Sequence, residues 1–127
     1  MKREMLRAKI HRITVTERNV EYEGSLTLDP RLMQATDMRP YERVDVYDVD
    51  NGSRFSTYLI EGTPGLGECC VNGAAAHLVE RGHKLILCAY AVLDEAEVDT
   101  HRPRVVLVTD ANDIREIKDE ERAATRV

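Results

Sequence analysis

The chain has 127 residues, 43% hydrophobic and 32% charged, the proportions of one ordinary globular domain, long enough for a core and too short for two. Its formal charge of −5 speaks against nucleic-acid and membrane-surface binding, both of which draw on a basic face, and no apolar run is long enough to span a bilayer. The basic opening MKREMLRAKIHR has no apolar stretch behind it and so does not read as a signal peptide, which leaves the cytoplasm as the expected location.

In chain order, Lys9–Glu17 (KIHRITVTE) carries Ile10, Ile13 and Val15 among threonines and predicts a strand. SLTLD, from Ser25, alternates and predicts a short one. Asp29 as N-cap with Pro30 in the first helical position opens a helix over DPRLMQATD. ERVDVYDV alternates Val44, Val46 and Asp48 against Asp45, Tyr47 and Val49. Asn51-Gly52 then supplies a strong hairpin signal, and SRFSTYLIEG returns as the partner strand. A loop rich in glycine follows (Gly62, Pro64, Gly65, Gly67), then a short strand, ECCV. NGAAAHLVERG predicts a short helix, opened at Asn72 or Gly73, favoured by three alanines and closed by Gly82. HKLILCAYAVL predicts a buried strand and PRVVLVTD another. The tail 111–127 is nearly all charge and predicts a frayed helix or disorder. Six or seven strands and two short helices in so small a chain point to a closed β-barrel, because closure removes exposed sheet edges.

Cys69, Cys70 and Cys88 are odd in number, and the adjacent pair lacks the two-residue spacer of zinc ligands, so they read as reduced packing residues. His11, His77, His83 and His101 have no metal-like spacing, and no metal is expected.

Four stretches, MLRAKIHRITVT, YEGSLTLD, YERVDVYDVDNGSRFSTYLIEG and VNGAAAHLVERGHKLILCAYA, resemble the pyruvoyl-dependent aspartate 1-decarboxylases, in one register over most of the chain. The resemblance implies a mainly β fold, a double-psi β-barrel with short helices, in a single domain 1–127. It implies a homotetramer with active sites at subunit interfaces, and a proenzyme that cuts itself between Gly24 and Ser25 into a β fragment, 1–24, and an α fragment, 25–127. Ser25 then becomes a pyruvoyl cofactor that condenses with the amine of L-aspartate as a Schiff base. The reaction releases carbon dioxide and β-alanine, for pantothenate and hence coenzyme A. The resemblance leaves open whether an accessory maturation protein is needed. Two positions depart from the commoner pattern: Leu66 replaces a small polar residue, and His83 stands where an acidic residue is usual.

The chemistry suits these residue types. Loss of carbon dioxide from an α-amino acid leaves a carbanion that needs an electron acceptor, and a self-made carbonyl group fits a chain without a phosphate-binding cradle for pyridoxal phosphate. Glycine before the serine leaves the carbonyl unhindered and tolerates unusual dihedrals. By resemblance, Tyr58 is the proton donor to the α-carbon, and Thr57 stabilises the processing oxyanion and contacts substrate. Arg54 clamps a carboxylate, for which guanidinium geometry is suited. Lys9 is a second cationic contact. Gly73, Ala74 and Ala75 contact substrate at the opening of the short helix, whose free N–H groups and dipole favour anions, and Asn72 assists processing. Tyr22 and His11 line the same region, and Tyr47 walls the pocket. Read alone, Gly24-Ser25 would be a turn, Tyr58 a half-buried strand aromatic and Arg54 a solvated arginine. Two other readings stay open, the same chemistry on L-glutamate and a non-enzymatic double-psi barrel used for binding.

Overall fold

The computed structural model describes residues 1–124. Its strands are β1 (Lys2–Thr14), β2 (Glu17–Asn19), β3 (Ser25–Leu28), β4 (Arg43–Asp48), β5 (Arg54–Glu61), β6 (Cys69–Asn72), β7 (Lys84–Asp94), β8 (Arg104–Val108) and β9 (Ile114–Lys118). Two short helices, α1 (Pro30–Thr36) and α2 (Glu95–Val98), and a 3-10 helix, Gly73–Leu78, complete the described elements.

The strand order is β2-β6-β3-β5-β4-β7-β1-β8-β9. Because β2 directly continues β1, the sheet closes on itself through β1/β2, and β8 and β9 lie outside that ring. The junction is held by Val15 N–H to the His83 carbonyl and Thr16 N–H to the Cys69 carbonyl, both 2.9 Å. Parallel pairs (β1/β8, β2/β6, β3/β5) mix with antiparallel ones. This mainly β, mixed, ring-closed sheet with few short helices is a double-psi β-barrel, the fold the resemblance implies.

Strand alternation fills the barrel. Ala8 and Ile10 of β1, Leu26 and Leu28 of β3, Val44 and Val46 of β4, Leu59 of β5, Val71 of β6 and Leu85, Leu87 and Ala89 of β7 are all buried. Each large aliphatic side chain contributes about 1.5–3 kcal/mol by leaving water. In β1 the pairing with β7 shifts between His11 and Ile13, where Arg12 adopts φ 64°. This bulge turns Ile13 back into the core after His11 has pointed out. Asp29 caps α1 as expected, accepting from Arg31 N–H at 2.8 Å. It is fully buried and also accepts from the Gly65 and Gly67 N–H groups at 3.1 and 2.8 Å. Burial pushes its carboxyl pKa up, but the Arg31 guanidinium and these N–H donors outweigh burial and hold it below the usual value.

The structure corrects the sequence reading in several places, among them the unpredicted α2. β1 begins at Lys2, not Lys9, because residues 2–6 pair with Tyr90–Asp94 of β7 as a partly exposed ribbon whose sequence carries no core alternation. β2 is a separate strand. The alanine-rich stretch is a six-residue 3-10 helix with Asn72 left in β6, because Gly73 takes φ +71° and Val79 returns to extended backbone. The tail is not helical or disordered over 114–118: β9 pairs antiparallel with β8, Val106 opposite Ile117. Asn112, 1% exposed, fastens that turn by donating to the Thr14 and Gly67 carbonyls and accepting from Thr14 N–H. Residues 125–127 of the predicted tail lie outside the described residues. All three cysteines are free thiols; Cys69 and Cys88 are buried and Cys70 partly so.

Candidate active site

Gly24 lies in a bend and Ser25 opens β3. Ser25 is 3% exposed, so its hydroxyl must find partners inside the protein. It accepts from the Asn72 Nδ2 amide at 3.1 Å and donates to the Glu23 carbonyl at 3.4 Å. Asn72 is directly opposite Ser25 across β3/β6, itself 2% exposed. It also donates to Thr27 Oγ1 at 3.1 Å, and its Oδ1 accepts from the Cys70 thiol at 3.2 Å. The next residue, Gly73, packs its backbone onto Gly24. A Cβ at 73 would stand 2.6 Å from the Gly24 Cα and 3.2 Å from the Tyr22 carbonyl oxygen. A Cβ at Gly24 itself would meet nothing within 4 Å, so the Gly24 Cα is open on that side.

Thr57 and Tyr58 approach the same junction from the other flank. Leu26 of β3 is level with Leu59 of β5. Continued back, that parallel register sets Tyr58 level with Ser25 and Thr57 level with Gly24. Thr57 sits opposite the core residue Val44 and so faces inward, while Tyr58 sits opposite Arg43 and faces outward, 40% exposed. Of the 3-10 residues, Gly73 is buried, Ala74 exposed and Ala75 packed on the core. Tyr22 is 62% exposed beside the bend.

The remaining candidates form a second patch. The register runs His11, Ile86, Tyr47, Arg54 across β1, β7, β4 and β5, with Lys9, Cys88, Asp45, Ser56 two residues along. Between these rows lie Ile10, Leu87, Val46 and Phe55, which face the core, so both outer rows share the outward face of the barrel. There the Arg54 guanidinium stacks 3.9 Å over the Tyr47 ring, and the Tyr47 hydroxyl meets that of Tyr90 at 3.1 Å. That hydrogen bond, then burial, pushes the Tyr90 phenol up. Lys9 Nζ is bound by the Glu121 carboxylate at 2.6 Å. Burial, then the Lys9 and Arg12 charges, lowers the pKa of His11 below its ordinary 6.5, which keeps the ring neutral near pH 7. Among the described residues no hydrogen bond or ion pair of Lys9, His11, Tyr47 or Arg54 reaches Gly24, Ser25 or Asn72.

The Aspartate decarboxylase family model matches residues 1–115, which spans every one of these side chains except Glu121. The chain belongs to the aspartate decarboxylase family. It is 52% identical over 118 residues to the aspartate 1-decarboxylase of Ralstonia nicotianae, covering 93% of this chain and 98% of that protein. It is 51% identical over 114 residues to that of Sulfurimonas denitrificans (90% and 94%), and 49% identical over 118 residues to that of Bordetella avium (93% and 97%).

The junction thus combines a buried serine hydroxyl fixed by an amide, an unhindered glycine before it, and a second glycine packed against that one. Thr27, which shares the Asn72 amide with Ser25, was missed by the sequence reading, although the strand period of two from Ser25 signals it. Asp45 and Ser56, joined at 2.8 Å beside the Arg54 face, were missed as well. Glu121 had no readable signal, because its role depends on where β9 lays the tail. A third cluster of ligand-type atoms, Asp48, Asp50 and His83, lies within 4.8 Å. Its members are already engaged: His83 Nδ1 meets Asp48 Oδ2 at 2.7 Å, and Asp50 accepts from Lys84 N–H.

Proposed function

We propose that this chain is the proenzyme of a pyruvoyl-dependent aspartate 1-decarboxylase, which forms β-alanine and carbon dioxide from L-aspartate for pantothenate and coenzyme A synthesis. The observation that carries the processing step is the Ser25 hydroxyl held by Asn72, with Gly73 packed on Gly24. The Ser25 oxygen attacks the Gly24 carbonyl, the peptide C–N bond breaks, and an ester with a free amine at residue 25 results. Loss of the Ser25 α-proton expels Gly24 as a carboxylic acid and leaves dehydroalanine, which takes up one water and releases one ammonia to become pyruvoyl. Asn72 orients the nucleophile, and Thr57, level with Gly24, supports the oxyanion.

The pyruvoyl group supplies an electron acceptor for the α-carbon when carbon dioxide leaves. The chain's own side chains bind, orient and protonate. Arg54 and Lys9 receive the two substrate carboxylates, since burying an uncompensated charge would be costly. Tyr58 donates the proton to the α-carbon. Gly73, Ala74 and Ala75 border the substrate, and Tyr47 with neutral His11 and Tyr22 limits the pocket. Ser25 and the Lys9–Arg54 patch both lie on the outward side of the barrel wall but several strands or residues apart, and this separation supports a site completed by a second subunit. The family resemblance extends this to a homotetramer. The free thiols fit a reducing, cytoplasmic setting.

Intact mass spectrometry tests the processing. The active preparation yields fragments 1–24 and 25–127, whereas Ser25→Ala stays full length and releases no carbon dioxide from aspartate. Normal carbon dioxide release by protein that still carries an unmodified serine at position 25 overturns the reading. Parallel assays on aspartate and glutamate decide the substrate.

A further inference from the structure

We propose that Glu121 is a built-in competitor for a substrate carboxylate: the tail lays its side chain on Lys9, and a dicarboxylate ligand must displace it to bind. The proposal rests on the reading of Lys9 as a substrate contact. Strand pairing aims the strap. Lys118, the last residue of β9, is opposite Val105 of β8, and Val105 is level with Lys9 of β1. The chain then turns back, and Glu121 reaches across Val105 to meet Lys9 Nζ at 2.6 Å. Glu120 fixes the turn by pairing with Arg102 at 3.6 Å and Arg122 at 3.0 Å.

The surroundings suit exchange of one carboxylate for another. A pocket of about 90 Å³ between β1, β8 and the tail is lined by Lys9, His11, Lys118, Glu121 and Arg122, among others. Arg122 is matched by Glu120, which leaves Lys9 and Lys118 facing one carboxylate. Among the described residues His11 Nδ1 is buried there without a hydrogen-bond partner, a polar atom the strap does not satisfy. The Lys9 side chain is 14% exposed and that of Glu121 42%, so the pair opens from the tail side without uncovering the barrel. Glu121 lies beyond residue 115, where the family model stops.

Calorimetric titration of the full-length processed protein with succinate tests this, because succinate has two carboxylates and no amine to condense with a carbonyl. Glu121→Gln binds succinate about two- to fivefold tighter than wild type, the scale of one partly exposed ion pair, and lowers KM for aspartate in the same proportion with kcat unchanged. Asp119→Asn, which removes a neighbouring tail charge, leaves binding as in wild type, and Lys9→Gln weakens it. If Glu121→Gln matches wild type while Lys9→Gln is weaker, the strap is wrong and the reading of Lys9 survives. If both tail variants tighten binding equally, the effect is diffuse charge and the strap is again wrong. If wild type does not bind succinate, or Lys9→Gln binds it equally well, the reading of Lys9 fails and the strap falls with it.

Discussion

A methyl group at position 73 would stand 2.6 Å from the Gly24 Cα and 2.9 Å from its nitrogen, and φ +71° there costs an L-residue about 1–2 kcal/mol before any clash. Gly73→Ala is therefore expected both to destabilise the fold and to push Gly24 out of line with the Ser25 hydroxyl. Gly65 separates the two effects: its φ of +91° is similarly restrictive, but nothing lies within 4 Å of a Cβ there. Gly65→Ala should lower Tm by a few degrees, as ~1 kcal/mol does in a domain of this size, and process normally. Gly73→Ala should lower Tm further and retain full-length chain in a mass-spectrometric time course. Equal processing in the two would show that the approach of Gly73 to Gly24 is packing alone. At this scale the sequence was half legible. The Gly24-Ser25 pair, Asn72 and Gly73 could be picked out through matching segments, but Gly73 only as a substrate contact at the opening of a helix, since its packing on Gly24 exists only once β3 and β6 pair.

Among the elements, β4 was the most readable, because its alternation is set by burial: Val44, Val46 and Asp48 do point inward. Strands that pair without burying a face, such as residues 2–6 of β1 and all of β9, leave no such pattern in the sequence. Asp48 is the costly member of β4, a carboxylate 2% exposed. It accepts from Asp50 and Asn51 N–H in the hairpin turn and meets His83 Nδ1 at 2.7 Å. The hydrogen bond to Asp48 raises the pKa of His83 most; burial opposes it, and the charges of Asp48, Asp50 and Glu80 add to the rise. A pKa raised on folding means that the folded state holds the proton more tightly than the unfolded chain. The contribution is complete below the ordinary value of 6.5 and fades as pH climbs through the raised one. His83→Gln keeps a neutral donor but loses this charge. In urea unfolding, the gap between wild type and His83→Gln should be wider near pH ~6 than near pH ~9. A gap independent of pH would mean that the imidazolium does not hold the 48–52 turn. A gap that widens at the lower pH would make His83 the counter-charge of a buried aspartate.

Over the whole molecule, the decisive fact is that the groups that would make the cofactor and the groups that would hold the substrate share the outward side of the barrel wall but stand far apart on it. Arg54 and Tyr58 share the outward face of β5 four residues apart, about 13 Å along the strand, and Tyr58 is level with Ser25. Lys9 lies three strand spacings from β5, about 14 Å along the wall. The barrel was legible from strand count and turn signals, but this division was not, because it follows from register across four strands. A site joining two chains predicts complementation. Ser25→Ala retains the Lys9–Arg54 face but makes no pyruvoyl, and Arg54→Ala processes normally but cannot hold the carboxylate, so each alone should be inactive. When the two are co-expressed equally and assemble at random, about one site in four draws its residue 25 from the Arg54→Ala chain and its face from the Ser25→Ala chain. Carbon dioxide release should then recover to about a quarter of the wild-type rate per site, with kcat normal at the repaired sites. Separately purified variants mixed without subunit exchange should stay inactive. If co-expression restores nothing although mixed assemblies are present by native mass spectrometry, each site is built within one chain, and the outward face with Lys9 and Arg54 serves something other than the reaction at position 25.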